Sequence, residues 1–346
     1  MHDAISASPP TGARCPEPQV LMKSKLVLNP VAGTDAAPEY LTLINERLRQ
    51  DGDTLDIVIT VAAGDATRAA EQAVRDEYDR VIVAGGDGTL NEVLNGVGAV
   101  SGGFAKVTFG LIPLGTGNDF ATALGVPDDI DGALQALLDG VPTAVDVGVV
   151  NDRFFINVSG GGFIAEVSDA VSPQLKTIAG KLAYLIGGAE VLLNHEPVGA
   201  RIVAGKPGES AIVRDHTLHA FAVCNSRLIG GGRLIAPDAV IDDGELDVCL
   251  IEAMPTMEFL GLLRRVANGE HVHDARVTYF RAAEVTFSFD RVVKVNADGQ
   301  VLEGDRCHYT VLPRAAKFLL SPARPAPGIG HILSSAWAPP GATGSS

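Results

Sequence analysis

The segment 81–92, with the sequence VIVAGGDGTLNE, places an apolar, β-branched strand directly before a glycine-rich turn that opens a helix. Glycines let the backbone come close to a ligand, and the free N–H groups at the start of a helix donate to anions. Asp87 is itself an anion, so it can join a phosphate site only through a cation, for which Mg²⁺ is the most plausible choice. The turn therefore predicts a phosphate-binding loop, and the alternative is a plain strand-to-helix turn that Asp87 or Thr89 caps.

Strands alternate with helices along the first part of the chain, which predicts a doubly wound parallel sheet. The predicted strands cover 25–28, 55–61, 81–84 and 109–113, and helices are predicted over 38–50, 65–75 and 91–97 and again after residue 120. Glycine-containing loops follow three of these strands, at 29–33, 85–89 and 115–118. Ligands of such sheets bind beyond the carboxyl ends of the strands, so the three loops predict one shared site.

The second part of the chain is β-rich. Strands are predicted over 145–150, 153–158, 219–224, 246–251, 284–289, 292–296 and 308–312, with one helix at 180–194. Short strands separated by glycine and aspartate predict an antiparallel sandwich or a barrel-like domain. We expect domains at 23–146 and 147–320, with the last segment able to pack back on the first domain. Residues 1–22 and 321–346 are poor in packing residues, which predicts a disordered leader and tail.

Charge and cysteine content limit the classes of function. The formal net charge of −15 argues against a general nucleic-acid binder, because such proteins need a basic surface that displaces counterions, and it also disfavours an extended contact with an anionic membrane. The four cysteines lie far apart without a CxxC pair, so the sequence indicates neither a zinc site nor a disulfide framework. No apolar stretch reaches the roughly 20 residues that span a bilayer. We expect a cytoplasmic protein that is peripheral to a membrane at most, with a homodimer left open.

Five motifs in order along the chain carry a family resemblance. They are NPVAG at 29–33, GGDGTLNE at 85–92, PLGTGNDFA at 113–121, GGGRLIAPDAVIDDGELDV at 230–248 and NADGQ at 296–300. Together they resemble the diacylglycerol-kinase-like catalytic domain of soluble bacterial lipid kinases, over about residues 25–320. The resemblance implies an α/β domain like that of NAD kinases and phosphofructokinases, a β-rich second domain and an active site in the cleft between them. It also implies ATP-dependent transfer of phosphate to a lipid hydroxyl.

The resemblance further implies which residues bind ATP. They are Asn29, Gly33, Thr60, Gly85, Gly86, Asp87, Gly88, Thr89, Leu90, Asn91, Thr116 and Asn118. Thr60 and Thr116 end strands, where a hydroxyl can reach phosphate or base edges, although threonine is also simply a good β-former. Each assignment is an expectation that the geometry of the folded chain can test.

Two cation sites are expected. Asp87 holds Mg²⁺ beside the nucleotide, and Asp119 is placed to hold a water of that ion, although Asp119 can also cap the helix that follows it. The resemblance implies a second, structural cation on Asp243 and the backbone carbonyls of Val240 and Glu245. Because Asp-Gly favours a hairpin turn by itself, residues 242–244 can equally be a turn without a metal.

The catalytic base is where this sequence departs from the family. The family has a glutamate as proton acceptor in a DGE motif, and this chain has Gln300 there, whose amide has no useful basicity. Asp298 is the nearest remaining base, with Glu303 and Asp305 farther away, so the catalytic set is Asp298, Gln300 and Asp87. Loss of a general base slows a reaction by roughly 10²–10⁴-fold, which leaves a low-activity enzyme or a non-catalytic nucleotide or lipid sensor open.

The acceptor is the least determined element. The resemblance favours diacylglycerol as the acceptor and phosphatidic acid as the product, with sphingoid bases, polyprenols and phosphatidylglycerol as alternatives. An NAD-kinase-like small-molecule kinase shares the GGDG turn but is disfavoured by the motifs at 113–121 and 230–248. The apolar stretch 180–193 can line a groove for lipid chains, although core packing explains the same residues.

Overall fold

The computed structural model of this chain describes residues 22–32, 37–49, 54–170, 191–192, 194–205 and 212–322. The first part alternates strands and helices: β1 Lys23–Leu28, α1 Ala37–Leu48, β2 Thr54–Ile59, α2 Asp65–Arg75, β3 Arg80–Gly85, α3 Asp87–Gly98, α4 Gly103–Lys106, β4 Thr108–Pro113, α5 Asp119–Leu124 and α6 Ile130–Leu138. Every strand and helix predicted here is present, with ends that differ by a few residues.

The strands of this part form a parallel sheet in the order β2–β1–β3–β4. Successive side chains of a strand point to opposite faces, and here both faces are covered. Val81 and Val83 pack in the same core as residues of α2 and α3, whereas Ile82 packs with residues of α1 and α6. The sheet is therefore buried on both sides, and its open edge is the carboxyl end where the loops emerge.

The second part is mostly antiparallel strands. Its elements are β5 Val141–Val150, β6 Arg153–Phe155, β7 Val158–Gly162, α7 Phe163–Ala170, β8 Val198–Gly205, β9 Ile212–Cys224, β10 Leu228–Ile229, β11 Arg233–Leu234, β12 Leu246–Glu252, α8 Thr256–Val266, β13 Val277–Ala282, β14 Glu284–Ala297 and β15 Gln300–Leu320. Strand β14 pairs with β7, β8 and β15, and strand β9 pairs with β7, β8 and β12. The stacked rings of Phe221 and Phe287, 4.5 Å apart, lie in the core between them.

The last strand connects the two parts. β15 pairs antiparallel with β14 and β5, and its end runs parallel to β4 with Phe318 opposite Phe109. The rings of these two phenylalanines stack at 5.0 Å. The end of the chain thus packs on the first part, and strands of both parts belong to one hydrogen-bonded sheet.

Two sequence predictions differ from the structure. The strand predicted over 153–158 is broken into β6 and β7, because the N–H groups of Ile156 and Asn157 donate to the carboxylate of Asp298 instead of to a neighbouring strand. The two strands predicted over 284–296 are one strand, β14, with a shift of register between Ser288 and Val293. Most of the helix predicted over 180–194 lies outside the described residues, as do residues 1–21 and 323–346. Within the described part of the chain, no helix has the length and apolar character needed to cross a bilayer.

Candidate active site

A cavity of about 1980 Å³ lies between the two parts of the molecule. Its polar end is formed by the loops after β1, β3 and β4 and by the turns around Gly230 and Asp298, and its apolar end lies among α7, α8, β9 and β12. Predicted site residues that line it are Asn29, Thr60, Gly86, Asp87, Gly88, Thr89, Thr116, Asp119, Asp298 and Gln300. The folded chain therefore brings the three glycine-containing loops and the NADGQ motif to one cavity.

The loops after β3 and β4 touch through their backbones. A Cβ atom on Gly115 would lie 2.5 Å from the Cα of Gly86, and a Cβ on Gly86 would lie 3.1 Å from the Cα of Gly115. Around Gly88 there is open space within 4 Å of the Cβ position. Glycine is thus required where the two loops meet, and the tip of the turn leaves room for a ligand to approach the backbone.

Asp87 lies at the centre of the polar end. Its carboxylate accepts hydrogen bonds from the N–H groups of Asp119 at 3.1 Å and Phe120 at 3.2 Å, which open helix α5. Burial and then the negative charges of Asp119 and Asp298 raise the pKa of Asp87, the two amides lower it, and the net value is about 6. The charged side chains that act on Asp87 are thus themselves acidic, and a cation would relieve this repulsion.

Asp119 connects the two parts. Its carboxylate accepts from the N–H of Gly231 at 2.9 Å and of Gly232 at 2.7 Å, in a turn where both glycines have positive φ. The carboxylate therefore does not cap its own helix: Asn118 is the N-cap residue and makes no side-chain capping bond. Asp119 instead fixes the Gly230–Gly232 turn against the GGDG loop.

Asp298 is an anchor in this structure. Its carboxylate accepts from the backbone N–H groups of Ile156 at 2.6 Å, Asn157 at 3.1 Å and Val158 at 2.8 Å, and Asn91 adds a side-chain hydrogen bond. Burial raises the pKa of Asp298, while these hydrogen bonds lower it. Since a carboxylate has about four acceptor positions, these donors occupy them, and the geometry argues against the predicted role of Asp298 as a free general base.

Gln300 follows Asp298 at the start of β15. It lines the cavity with an exposed side chain. The position that carries a glutamate in the resembled family thus faces the site, but here its side chain cannot take a proton.

Two of the predicted nucleotide contacts hold each other in place. Asn29 donates from Nδ2 to the Thr89 hydroxyl at 3.0 Å and accepts from the N–H of Val31 at 3.2 Å. Thr60 is 9% exposed, and its N–H donates to the Leu28 carbonyl, which joins the end of β2 to β1.

Other predicted contacts lie behind the cavity wall. They are Gly85, Leu90, Asn91 and Asn118, none of which lines the cavity. Leu90 is 3% exposed and packs in the core, and Asn91 donates to the Phe154 carbonyl at 3.1 Å. Asn118 exchanges two hydrogen bonds with Gly115. These residues shape the loops from behind, and Gly33 lies outside the described residues.

An arginine of β13 lies against the turn predicted to hold a structural cation. The Nη1 of Arg281 lies 3.3 Å from Oδ2 of Asp243, and its Nε lies 3.9 Å from Glu245. The other oxygen of Asp243 accepts from the N–H of Glu245 at 3.0 Å. A guanidinium at the carboxylate opposes a metal ion there, so the predicted set of Val240, Asp243 and Glu245 does not fit a cation site. In the described residues, no cluster of three His, Cys, Asp or Glu side chains could hold a metal.

The sequence analysis missed residues of the second part that line the cavity. Arg233 and Asn157 contribute to its polar end, and Phe163 and Leu263 to its apolar end. The GGGR run was a usable signal for Arg233, because it stands in a motif already connected to the site. Asn157 and the apolar residues carry no local signal, since tertiary packing alone places them there.

Comparisons with known proteins agree with this arrangement. Residues 23–150 match the diacylglycerol kinase catalytic domain family, and residues 157–320 match the YegS C-terminal NAD kinase beta sandwich-like domain. The chain is 34% identical to the diacylglycerol kinase of Bacillus subtilis over 282 residues, which cover 81% of this chain and 90% of that protein. It is also 34% identical to the diacylglycerol kinase of Staphylococcus epidermidis over 278 residues, which cover 80% of this chain and 85% of that protein.

The chain belongs to the diacylglycerol kinase catalytic-domain family. The predicted family and the predicted pairing of an α/β domain with a β-sandwich domain are thereby confirmed. A solved structure from Bacillus anthracis str. Sterne matches with a TM-score of 0.74 and 25% identity over 90% of this chain and 99% of that chain. A crystal structure of a diacylglycerol kinase from the same organism, 24% identical with a TM-score of 0.69, covers 87% of this chain and 97% of that chain and shares the fold.

Proposed function

We propose that this chain is an ATP-dependent lipid kinase and that its acceptor is diacylglycerol, which it converts to phosphatidic acid. The observation that carries the proposal is the cavity itself, which joins a polar end lined by the glycine turns to an apolar end. Its volume of about 1980 Å³ exceeds the roughly 300–1,000 Å³ of common ligand pockets, as a site for two substrates requires. The relatives named diacylglycerol kinase support the same assignment.

The polar end suits the triphosphate of a nucleotide. Backbone N–H groups of a glycine turn and a helix start are anion donors, and the turn at Gly86–Gly88 has the open space that a phosphate needs. Asp87 lies among the acidic side chains of Asp119 and Asp298, so a divalent cation fits beside it. Asp87 would hold Mg²⁺, which would supply charge neutralisation on the phosphates.

The apolar end suits a lipid chain. Residues that line it are Phe163, Ile164, Val167, Leu192, Ala220, Ile251, Leu260 and Leu263. A lipid chain bound against this wall is buried away from water, which stabilises binding by roughly 0.8 kcal/mol per buried CH₂ group. A water-soluble acceptor such as a dinucleotide would leave it uncovered, so the wall favours a lipid over an NAD-kinase-like substrate.

In the proposed reaction, the acceptor oxygen attacks the γ-phosphorus, the bond from that phosphorus to the β–γ bridging oxygen breaks, and ADP leaves. Transfer of this kind asks mainly for positioning and charge neutralisation, with little covalent work by the protein. Gln300 cannot take the hydroxyl proton, and the amides of residues 156–158 occupy the carboxylate of Asp298. Glu303 and Asp305, the farther candidates, do not line the cavity, so in the proposed reaction the proton passes to an oxygen of the transferred phosphate.

The experiment is a transfer assay with purified protein, radiolabelled ATP and a panel of acceptors in mixed micelles. The panel contains diacylglycerol, a sphingoid base, a polyprenol, phosphatidylglycerol and soluble NAD. We expect labelled phosphatidic acid, its loss in Asp87→Asn and its retention in Asp152→Asn, which changes an exposed residue of the turn between β5 and β6. Label in NAD alone, or in no lipid, would exclude the proposal.

A non-catalytic nucleotide sensor is the second candidate, and Gln300 at the position of the family base favours it. It predicts that ATP raises the melting temperature of the protein without any labelled product. It also predicts that Gln300→Glu restores no transfer. A large gain of rate in Gln300→Glu would instead identify a kinase slowed at this one side chain.

A further inference from the structure

Arg233 lies directly after the Gly230–Gly232 turn, and it lines the polar end of the cavity. The N–H groups of that turn donate to Asp119, and the N–H of Asp119 donates to Asp87. This chain of hydrogen bonds runs from the GGDG loop to the turn. The turn that carries Arg233 and the phosphate loop are therefore adjoining walls of one site.

The guanidinium of Arg233 has unused hydrogen-bonding capacity. Its Nη1 donates to the Gly230 carbonyl, which is its one hydrogen bond to the described residues. A guanidinium carries five N–H donors in a planar fork that matches phosphate oxygens. Within the described residues no carboxylate forms an ion pair with it, although the side chain is only partly exposed. A half-buried arginine without a carboxylate partner among the described residues can bind an anion that comes from a ligand.

The charges around the cavity indicate where that anion binds. The polar end contains the acidic side chains of Asp87, Asp119 and Asp298. The other cationic side chain that lines the cavity in the described part of the chain, Arg264, stands on α8 beside Leu260 and Leu263, at the apolar end. Arg233 is thus the cationic side chain of the phosphate end, and it comes from the second part of the molecule.

We propose that Arg233 binds the γ-phosphate of the nucleotide and neutralises the negative charge on it during transfer. The proposal rests on the function proposed above. The guanidinium takes no proton and forms no covalent bond, and it acts as a fixed donor to the phosphoryl oxygens. The same chemistry could instead serve the phosphodiester of a phospholipid acceptor, so the test separates the two sources of phosphate.

The test compares Arg233→Met and Arg233→Lys with the wild type and with Arg306→Met, which changes an exposed arginine of β15. Turnover is measured with diacylglycerol and with phosphatidylglycerol, and calorimetry measures the binding of ADP and of a non-hydrolysable ATP analogue. We expect Arg233→Met to lower kcat by about 10²-fold or more, the loss typical of removing one donor that stabilises a transition state. Arg233→Lys should recover part of the rate, and Arg306→Met should match the wild type. Arg233→Met should weaken binding of the ATP analogue while ADP binds as in the wild type.

Two results would overturn the proposal. The first is an unchanged kcat in an Arg233→Met protein that melts like the wild type. The second is a loss confined to phosphatidylglycerol, which would assign Arg233 to the acceptor's phosphodiester. If the wild type phosphorylates no lipid, the proposed function fails, but the comparison of the ATP analogue with ADP still tests Arg233. Should Arg233→Met fail to fold, Arg233→Lys carries the same comparison.

Discussion

The chain contains two Asp-Gly turns that look alike in sequence and differ in the folded molecule. Asp87-Gly88 opens helix α3 at the cavity, and Asp243-Gly244 joins the segment after β11 to β12. The charged groups acting on Asp87 are the carboxylates of Asp119 and Asp298, whereas Asp243 lies against the guanidinium of Arg281. Among the described residues no cationic group acts on Asp87, whereas Asp243 already has a positive partner.

The comparison teaches that the charge around a turn decides whether a cation fits it. A carboxylate surrounded by other carboxylates gains from a metal ion, and a carboxylate beside a guanidinium gains little. The motif alone does not carry this information, because Arg281 lies 38 residues from Asp243 along the chain. The predictions below test the two turns against each other.

The largest expected effect is the difference in kcat/KM for ATP between the Asp87→Asn and Asp243→Asn variants. Asp87→Asn removes the charge that would hold Mg²⁺, and we expect kcat/KM for ATP to fall by about 10³-fold, the upper range for one electrostatic contact in a transition state. Asp243→Asn should change it little. Steady-state kinetics over a range of Mg²⁺ concentrations measures both variants. Equal losses in the two variants would show that both turns bind an essential ion.

The local part of the first turn could be predicted from sequence. A β-branched strand, a glycine turn and a helix start are determined by neighbouring residues, so the turn before α3 and the parallel sheet followed from the sequence, while phosphate binding at that turn stays a prediction. The role of Asp298 did not follow. Its donors at Ile156, Asn157 and Val158 lie at least 140 residues away in sequence, and no local pattern reports them.

The residues of the cavity wall also show that local sequence patterns do not determine which side chains reach the site. Leu90 stands within the GGDGTLNE motif, yet it packs in the core because a helix directs only some of its residues to the site. Arg233 and the apolar end come from the second part of the chain, where the sequence showed strands but not how they pack. Motif spacing therefore predicted where the polar end of the cavity lies, and the position of the apolar end depends on tertiary packing.

Behind the second turn, Asp247 should give the protein a pH-dependent stability. Asp247 is 1% exposed, and burial raises its pKa to about 6, while the hydroxyl of Tyr279, at 2.6 Å, lowers it. Because the folded state holds this proton more tightly than the unfolded chain, the free energy of unfolding should fall as pH rises from about 4 to about 6. At pH 8 the loss is about 3 kcal/mol, since each pKa unit corresponds to roughly 1.4 kcal/mol.

Asp247→Asn should remove the share of this pH dependence that Asp247 contributes, and urea unfolding between pH 4 and pH 8 measures it. The asparagine cannot ionise, so its curve should be flatter than that of the wild type and should lie above it at pH 8. Tyr279→Phe is the control, because it removes a hydrogen bond that lowers the pKa and should move the transition to higher pH. A wild-type curve without any slope in this range would contradict the assignment.

At the first turn, Asp119→Asn should loosen the contact between the two parts. The carboxylate accepts two backbone hydrogen bonds from Gly231 and Gly232, and hydrogen bonds to a charged group contribute about 1.5–3 kcal/mol. We expect the free energy of unfolding to fall by about 2 kcal/mol. Urea unfolding at pH 7 measures the loss, with Asp152→Asn as the control for removal of one exposed acidic charge. Equal stability of Asp119→Asn and the wild type would show that the Gly230–Gly232 turn is held by other contacts.

Among these variants, Arg281→Gln should change the free energy of unfolding least, and it tests the second turn most directly. Arg281 is half exposed at 50%, and ion pairs at that exposure contribute about 0–1 kcal/mol, so we expect a loss of stability of less than about 1 kcal/mol. Removing the guanidinium takes away the positive charge beside Asp243, so the variant should gain a melting-temperature increase with Mg²⁺ or Ca²⁺ that exceeds that of the wild type. Arg281→Lys keeps a positive charge and should respond like the wild type. The contrary outcome is a wild type that shows the same metal response as Arg281→Gln. If Asp87→Asn kept that response and Asp243→Asn lost it, a cation and Arg281 would occupy the second turn together.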